Sequence, residues 1–390
     1  MRLVRLVAQR FRNLEPFDLA TDARFVVVHG PNAQGKTNLL EAVWTLATLR
    51  PIRGHKTREL IRWGDDEATV VGWVRGEDGR SQLRVDFGGV RRKASLDGQP
   101  VRDLPEYFAC IRAISFTPSD ATIVTDAPVF RRAWLDRAAF TARPTHLARV
   151  RDYERTLAQK AALLRDGRPD VGVLDVLDDQ LARAGAALVE ARVTLLRELV
   201  PHVRTQHAAL AGGGDVGVRY RTDADGDDVP RRAARLREKL QAARVEEVRR
   251  RRSLVGPHGD DVRLMLDGHP VRQFGSRGQV RTLVLAMKLA ELVAARARGD
   301  RPMFLLDDLS SELDRDRTRR LVHTLGELDV QVWISTTDPD HLGALPGADT
   351  LRIGMRGGAP EPVRNEPIAA GPDPSNGIAE PVPGDRSEQG

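Results

Sequence analysis

Residues 24–37 read RFVVVHGPNAQGKT, and this stretch decides the fold. Its first half is a continuous β-branched run, the pattern of a strand buried on both faces in a parallel sheet. Gly30 then breaks the run. Leu39, Leu40, Val43, Trp44, Leu46 and Ala47 recur at helical spacing, so a helix is expected to begin near Lys36. Strand, glycine loop and helix make the βα unit of an α/β fold. Residues 30–37 also match GxxxxGK[ST], the Walker A loop. Gly30 and Gly35 let the backbone curl until its amides converge on phosphates. Lys36 offers a positive charge to the β and γ phosphates, and the Thr37 hydroxyl can ligate magnesium. The amides and dipole at the start of the helix face the same anion. The expected ATP-binding residues are therefore Gly30, Pro31, Asn32, Ala33, Gln34, Gly35, Lys36, Thr37 and Asn38. A chance glycine-rich turn would not sit between a buried-strand pattern and a helical one.

Two further stretches complete a nucleotide site. Residues 303–308, MFLLDD, are four apolar residues ending in two carboxylates. Such a strand delivers Asp307 to magnesium, through one of the waters that this ion retains, and Asp308 to the attacking water. The plain alternative is a strand ending in a solvated acidic turn. Residues 311–314, SELD, follow at once and resemble the D-loop of ABC ATPases, which crosses a dimer interface and adds Asp314 to the candidates. Residues 275–279, GSRGQ, precede a long helical pattern at 279–297 and occupy the place of the ABC signature, usually LSGGQ. Ser276, Gly278 and Gln279 at a helix start suit a second phosphate contact, although serine there is also a good helix cap. In ABC dimers that contact comes from the opposite subunit. Lys36 and Asp308 would then act in one chain, with Ser276 and Gly278 acting from another.

The rest of the chain frames these motifs. Residues 3–7 read as a sheet-edge strand and 65–96 as hairpins of an antiparallel sheet. Residues 130–140, 146–166 and 174–207 read as helices of an inserted arm or lid, and 230–252 as a strongly basic helix. The expected organisation is an ABC-type P-loop ATPase head of α/β class with an antiparallel β subdomain. Its N-terminal part is residues 1–125, the helical insertion 126–212, and its C-terminal part 213–356. Residues 357–390 are Pro-rich and acidic, and a disordered tail is expected there.

The formal charge is +6, and beyond Gly358 the tail holds six acids and two arginines, so the body is more basic than the whole. A basic body suits an anionic partner such as nucleic acid. Only six of the 61 basic residues are lysine, however, which fits codon bias equally well. No window approaches a membrane-spanning helix. The opening MRLVRLVAQRFRN is not a secretory signal. The single Cys110 excludes an internal disulfide framework or a zinc cluster. A cytoplasmic location is expected. Candidate DNA contacts are Arg53, Lys56 and Arg58, with residues 249–252 a second basic cluster. His258 reads as a turn residue.

In combination the motifs resemble the RecF family, within the SMC-like branch of ABC ATPases. GPNAQGKTNLLEA at 30–42, with Asn32 and Asn38 flanking the loop, is typical of that branch. FRNLEPFDL at 11–19, SFTPSDATIVTDAPVFRRAWLD at 115–136 and GPHGDDVRLMLDGHPVRQFGSRGQVRT at 256–282 are similar to family segments. The likeness runs over roughly residues 1–355. It implies an ATPase that dimerises with ATP and magnesium, binds gapped or duplex–single-strand junction DNA, and hydrolyses ATP slowly. It also implies action with RecO and RecR in loading RecA, and support of the SOS response. Four positions depart from the usual patterns. Ala33 replaces a glycine, which is tolerable if that position needs no positive φ. Gly259 stands where arginine is usual, Arg277 often where glutamine stands, and Thr337 takes the place of the transporter switch histidine. The alternative is the nucleotide-binding ATPase subunit of a membrane transporter. The Thr337 replacement, the helical arm and the missing glutamine-loop pattern weigh against it, and an SMC-like cohesion factor would need a far longer coiled coil.

Overall fold

The computed structural model describes residues 1–52, 56–77, 79–88, 91–166, 169–346 and 349–361. The chain runs β1 (Arg2–Gln9), β2 (Phe17–Ala20), β3 (Phe25–His29), α1 (Lys36–Thr48), β4 (Glu67–Gly76), β5 (Gly79–Gly88), β6 (Arg91–Leu96) and β7 (Gln99–Pro100). It continues through α2 (Leu104–Cys110), β8 (Ala113–Phe116), α3 (Thr122–Thr125), α4 (Pro128–Ala142), α5 (His146–Arg165), α6 (Val171–Ala211), β9 (Val216–Arg221) and α7 (Val229–Arg250). Then come β10 (Asp261–Leu266), β11 (His269–Pro270), α8 (Val271–Phe274), α9 (Arg277–Ala297), β12 (Met303–Leu306), α10 (Leu309–Glu312), α11 (Arg315–Glu327), β13 (Val332–Thr336), β14 (Thr350–Arg356) and β15 (Ala359–Pro360).

The central sheet has the order β15-β14-β3-β13-β12-β8, with all pairs parallel except β14 with β15. Successive residues of a strand point to opposite faces, and here both faces are apolar. Phe25, Val27, Phe304, Leu306, Val332 and Ile334 enter a core shared with α4, α6, α9 and α11. Val26, Val28, Met303, Leu305 and Trp333 enter a second core under α1 and the antiparallel sheet. Burial on both faces is why these strands read as unbroken apolar runs.

The antiparallel sheet is ordered β2-β1-β4-β5-β6-β7. The β1 segment therefore pairs on both sides, and β2 takes the edge, in contrast to the edge position expected for residues 3–7. Alternation explains the difference: Arg2 and Arg5 reach solvent acids while Leu3, Leu6 and Ala8 are fully buried, so the interleaved arginines mark one wet face and not an edge.

The 41-residue α6 spans about 60 Å at 1.5 Å per residue. Its C-terminal half places Leu195, Leu199 and Val203 in the main core. Its N-terminal half packs Leu181, Leu188 and Val189 with Tyr153 of α5 and with Leu236 and Leu240 of α7. Thus α7, beyond residue 212 in sequence, packs with α5 and α6. Lys160 sits wholly buried there, its Nζ 2.6 Å from both Asp178 Oδ1 and Glu247 Oε2. At the junction with the head, Arg192 donates to both oxygens of Asp136 (2.8 and 2.7 Å) and to the Pro257 carbonyl (3.0 Å). His258 hydrogen-bonds Tyr153 at 2.6 Å beside it, and burial pushes its imidazole pKa below the ordinary value.

Among the elements absent from the sequence reading are the core strand β8 and the hairpin β14–β15. That hairpin runs through the start of the expected tail. Gly357 and Gly358 turn it with φ of 57° and 83°. Residues 362–390, the remainder of that tail, lie outside the described residues.

Candidate nucleotide-binding site

Parallel pairing brings the carboxyl ends of β3, β13 and β12 to one edge of the sheet, with β13 in the middle. In open α/β sheets ligands bind at this edge. Residues 30–35 follow β3 and wrap over the start of α1. Position 30 requires glycine: its φ is 146°, and a Cβ there would lie 2.6 Å from the Met355 carbonyl oxygen. Gly35 caps α1 with φ 97°, and no side chain caps the helix's first turn. The orphan amides of that turn are left for an anion. Lys36 Nζ bridges the Gly30 and Pro31 carbonyls at 2.8 Å each. Burial lowers its pKa from the ordinary value, against the pull of Asp308 and Asp307.

Ala33 has φ 64°, in the left-handed region. This overturns the condition under which its replacement of glycine is harmless: the loop does require positive φ there. Gln34 is held from the far side, its Oε1 accepting from the Gly357 amide and its carbonyl from the Gly358 amide at 3.2 Å. Residues 357–358 are thereby part of the loop's frame.

Asp307, at the end of β12, is buried. Its Oδ1 accepts from Thr37 Oγ1 (2.7 Å) and Ser335 Oγ (2.7 Å). The hydroxyl and the carboxylate expected to serve magnesium therefore meet, although they lie far apart in sequence. Both are hard oxygen donors that suit magnesium, which keeps waters and phosphate oxygens as its other ligands. Asp308 has φ 54°, and this turns its carboxylate out of the strand into the cavity. Its amide donates to Ser335 Oγ at 2.8 Å and its Oδ2 accepts from Ser311 Oγ at 2.6 Å.

One cavity of about 1290 Å³ joins Lys36, Thr37, Asn38, Asp308 and Ser335 to a wall made by residues 56–66. Lys56 and Arg58 are on that wall, facing the same space as the Walker loop; Arg53 lies outside the described residues. The exposed Arg249 and Arg250 pair with Glu246 at the end of α7.

Ser276, Gly278, Gln279 and Asp314 do not line this cavity. Ser276 caps α9 in a reciprocal box, its Oγ accepting from the Gln279 amide (3.2 Å) and its own amide donating to Gln279 Oε1 (2.9 Å). Asp314 caps α11, accepting from the Arg317 amide at 2.8 Å. Within one chain Ser276, Gln279 and Asp314 serve as helix caps, and Gly278 lies in the first turn of α9. Gly259 closes a short turn with open space at its α-carbon, and Thr337 bonds Ser310 at 3.0 Å.

Three contributors escape the sequence reading. Ser335 links Asp307 to Asp308, and its signal is a hydroxyl at the end of an apolar strand. Asn13 accepts from Asn38 Nδ2 at 2.6 Å. Arg12 clamps buried Glu41 of α1 through two hydrogen bonds of 2.8 and 3.0 Å. Neither pairing can be read from spacing, because each joins loops whose contact is set by the sheets.

A P-loop before a bare helix start, a hydroxyl on one strand-end aspartate and a second aspartate turned into the cavity define an ABC-type P-loop ATPase head. The sequence pattern of the RecF/RecN/SMC N-terminal domain matches residues 2–355. The DNA replication and repair protein RecF of Myxococcus xanthus is 39% identical over 366 residues, covering 92% of this chain and 96% of that protein. The protein of the same name from Geobacter sulfurreducens is 39% identical over 354 residues, covering 90% and 96%. A solved structure of the recombination mediator protein RecF with ATP, in the RecFOR pathway, superposes with TM-score 0.83 at 25% identity, covering 92% of this chain and 96% of that one. An SMC head bound to the C-terminal winged-helix domain of ScpA shares the fold, with TM-score 0.55 at 13% identity. The chain belongs to the RecF family.

Proposed function

We propose that this chain is an ATP-dependent DNA-binding protein of recombinational repair, in which ATP closes a homodimer on gapped or junction DNA. The observation that carries it is the meeting of Thr37 with Asp307 below a helix start left open for phosphate, with Asp308 beside it. Gly30, Pro31, Asn32, Ala33, Gln34 and Gly35 wrap the phosphates of ATP, and Lys36 neutralises the β and γ groups. Thr37 and Asp307 would hold magnesium, which would supply positive charge to the phosphate oxygens. Asp308 orients and deprotonates the attacking water, with Ser311 holding its second oxygen in place.

Ser276, Gly278, Gln279 and Asp314 complete the site from a second copy. Their absence from the cavity of their own chain supports this reading. Slow hydrolysis then resets the dimer. Lys56, Arg58 and Arg53 are proposed DNA contacts. The resemblance extends the role to RecO and RecR as partners in loading RecA, with support of the SOS response, in the cytoplasm. Among the described residues no helix is long and apolar enough to cross a membrane. The transporter reading has no observation in its favour.

Sedimentation velocity with ATP and magnesium tests the split site. The wild type should shift from monomer to dimer, and Ser276→Arg should stay monomeric. A wild type that remains monomeric with bound ATP removes the mechanism.

A further inference from the structure

Trp63 is the most exposed large apolar side chain among the described residues, at 99% relative exposure. It is also the single aromatic on the wall of the cavity that holds Lys36 and Thr37. An isolated surface tryptophan needs no explanation, but this one is presented on a braced turn. The Arg62 amide donates to the Arg10 carbonyl at 2.8 Å, and the Asp65 amide closes the turn onto the Arg62 carbonyl at 3.1 Å. Gly64, with φ 92°, supplies the left-handed residue of this turn, and the exposure of Trp63 leaves its ring uncovered.

The brace continues to the Walker loop. The Arg62 guanidinium donates to the Leu14 carbonyl and pairs with Glu15 at 3.0 Å. A Cβ on Gly35 would meet Asn13 and Leu14 at 3.1 Å, so the segment that holds Arg62 lies directly against the phosphate loop. The backbone that carries Trp63 is thereby tied to the segment against the phosphate loop.

We propose that Trp63 is the stacking platform for the purine base of the bound nucleotide. This rests on the reading of residues 30–37 as the triphosphate cradle. With the triphosphate seated there, the nucleoside would lie against the wall formed within residues 56–66, where the lining side chains other than Trp63 and Ile61 are polar or charged. A base offers a flat π-face, and an indole ring covers it more fully than the smaller guanidinium planes of Arg58 and Arg62 on the same wall.

The test is titration of full-length protein with magnesium ATP and, separately, with magnesium tripolyphosphate, which carries the phosphates without the base. Wild type should bind ATP more tightly than tripolyphosphate. Trp63→Ala should weaken ATP on the order of 10- to 100-fold, the usual loss when one stacked base is deprived of its ring. Tripolyphosphate affinity should not change, and Trp63→Phe should recover most of the loss. Equal affinity of Trp63→Ala and wild type for ATP overturns the proposal, as does equal weakening of both ligands, which would make Trp63 a support for the loop. A loss confined to single-stranded DNA binding also overturns it and moves the stacking to DNA. If wild type binds neither ligand, the cradle itself has been misread, a result that no Trp63 variant would produce.

Discussion

Ala33 offers a prediction whose size follows from one dihedral angle. Its φ of 64° places an L-residue in the left-handed region, at a cost of about 1–2 kcal/mol relative to the right-handed one. Glycine there carries no such cost, but it gains freedom in the unfolded chain that disfavours folding by about 0.4–1 kcal/mol. Ala33 is exposed, so loss of its Cβ removes no packing. The difference leaves Ala33→Gly more stable by about 0.5–1 kcal/mol. Ala33→Val moves the other way, because a β-branched residue is a true outlier at positive φ, and should lose more than about 1 kcal/mol. Urea unfolding followed by circular dichroism, at one fixed saturating concentration of ATP, reads both variants against wild type. A glycine variant less stable than wild type, or a valine variant equal to it, would refute the reasoning.

Other outcomes follow from single features. Burial pushes the Asp136 carboxyl up, yet hydrogen bonds from Arg192 and His146 outweigh burial and bring it from 3.8 to about 2. Its ionised form therefore contributes stability above pH about 4, and the contribution, about 2 kcal/mol, is lost as pH falls through about 2. Acid unfolding of Asp136→Asn should lack that part of the slope, and an unchanged profile would show the pair to be inert. Lys160→Met leaves Asp178 and Glu247 buried without their shared cation, which should cost about 3–5 kcal/mol in denaturant unfolding. Adding Asp178→Asn and Glu247→Gln should recover at least half, and no recovery would place the damage in packing. Asp308→Asn should hydrolyse ATP poorly and accumulate as a dimer, whereas Lys36→Met should fail to dimerise. Normal turnover by Asp308→Asn would move the water-activating role elsewhere.

The parts of the fold that the sequence displays are those written in local periodicity. The Walker helix begins at Lys36 as its spacing indicates, and β12 and β13 show as apolar runs because both sheet faces are covered. Strand β8, AISF, is as short as β12 but lacks its unbroken apolar run, because Ser115 interrupts it. Strand β14 is obscured for a different reason: its alternation TLRIGMR leads straight into a glycine pair that looks like the start of a tail. In the site, Lys36, Thr37, Asp307 and Asp308 were legible because P-loop chemistry fixes their residue types. Ser335 and Asn13 were not, since their partners Asp307 and Asn38 come from other strands and loops. The left-handed φ at Ala33 is not written in alanine itself, and the glycine usual at that position in the family is its sign. The signature residues illustrate the converse: in one chain Ser276 is a helix cap, and its proposed second role depends on another copy.

The central claim, an ATP-gated DNA clamp, is tested most directly by fluorescence anisotropy on gapped duplex with and without ATP, for wild type and Ser276→Arg. The account predicts that ATP tightens wild-type binding, that Ser276→Arg loses that gain, and that added salt weakens the complex steeply as phosphate contacts are screened. Equal DNA binding with and without ATP, or a Ser276→Arg variant that keeps the full gain, would contradict it.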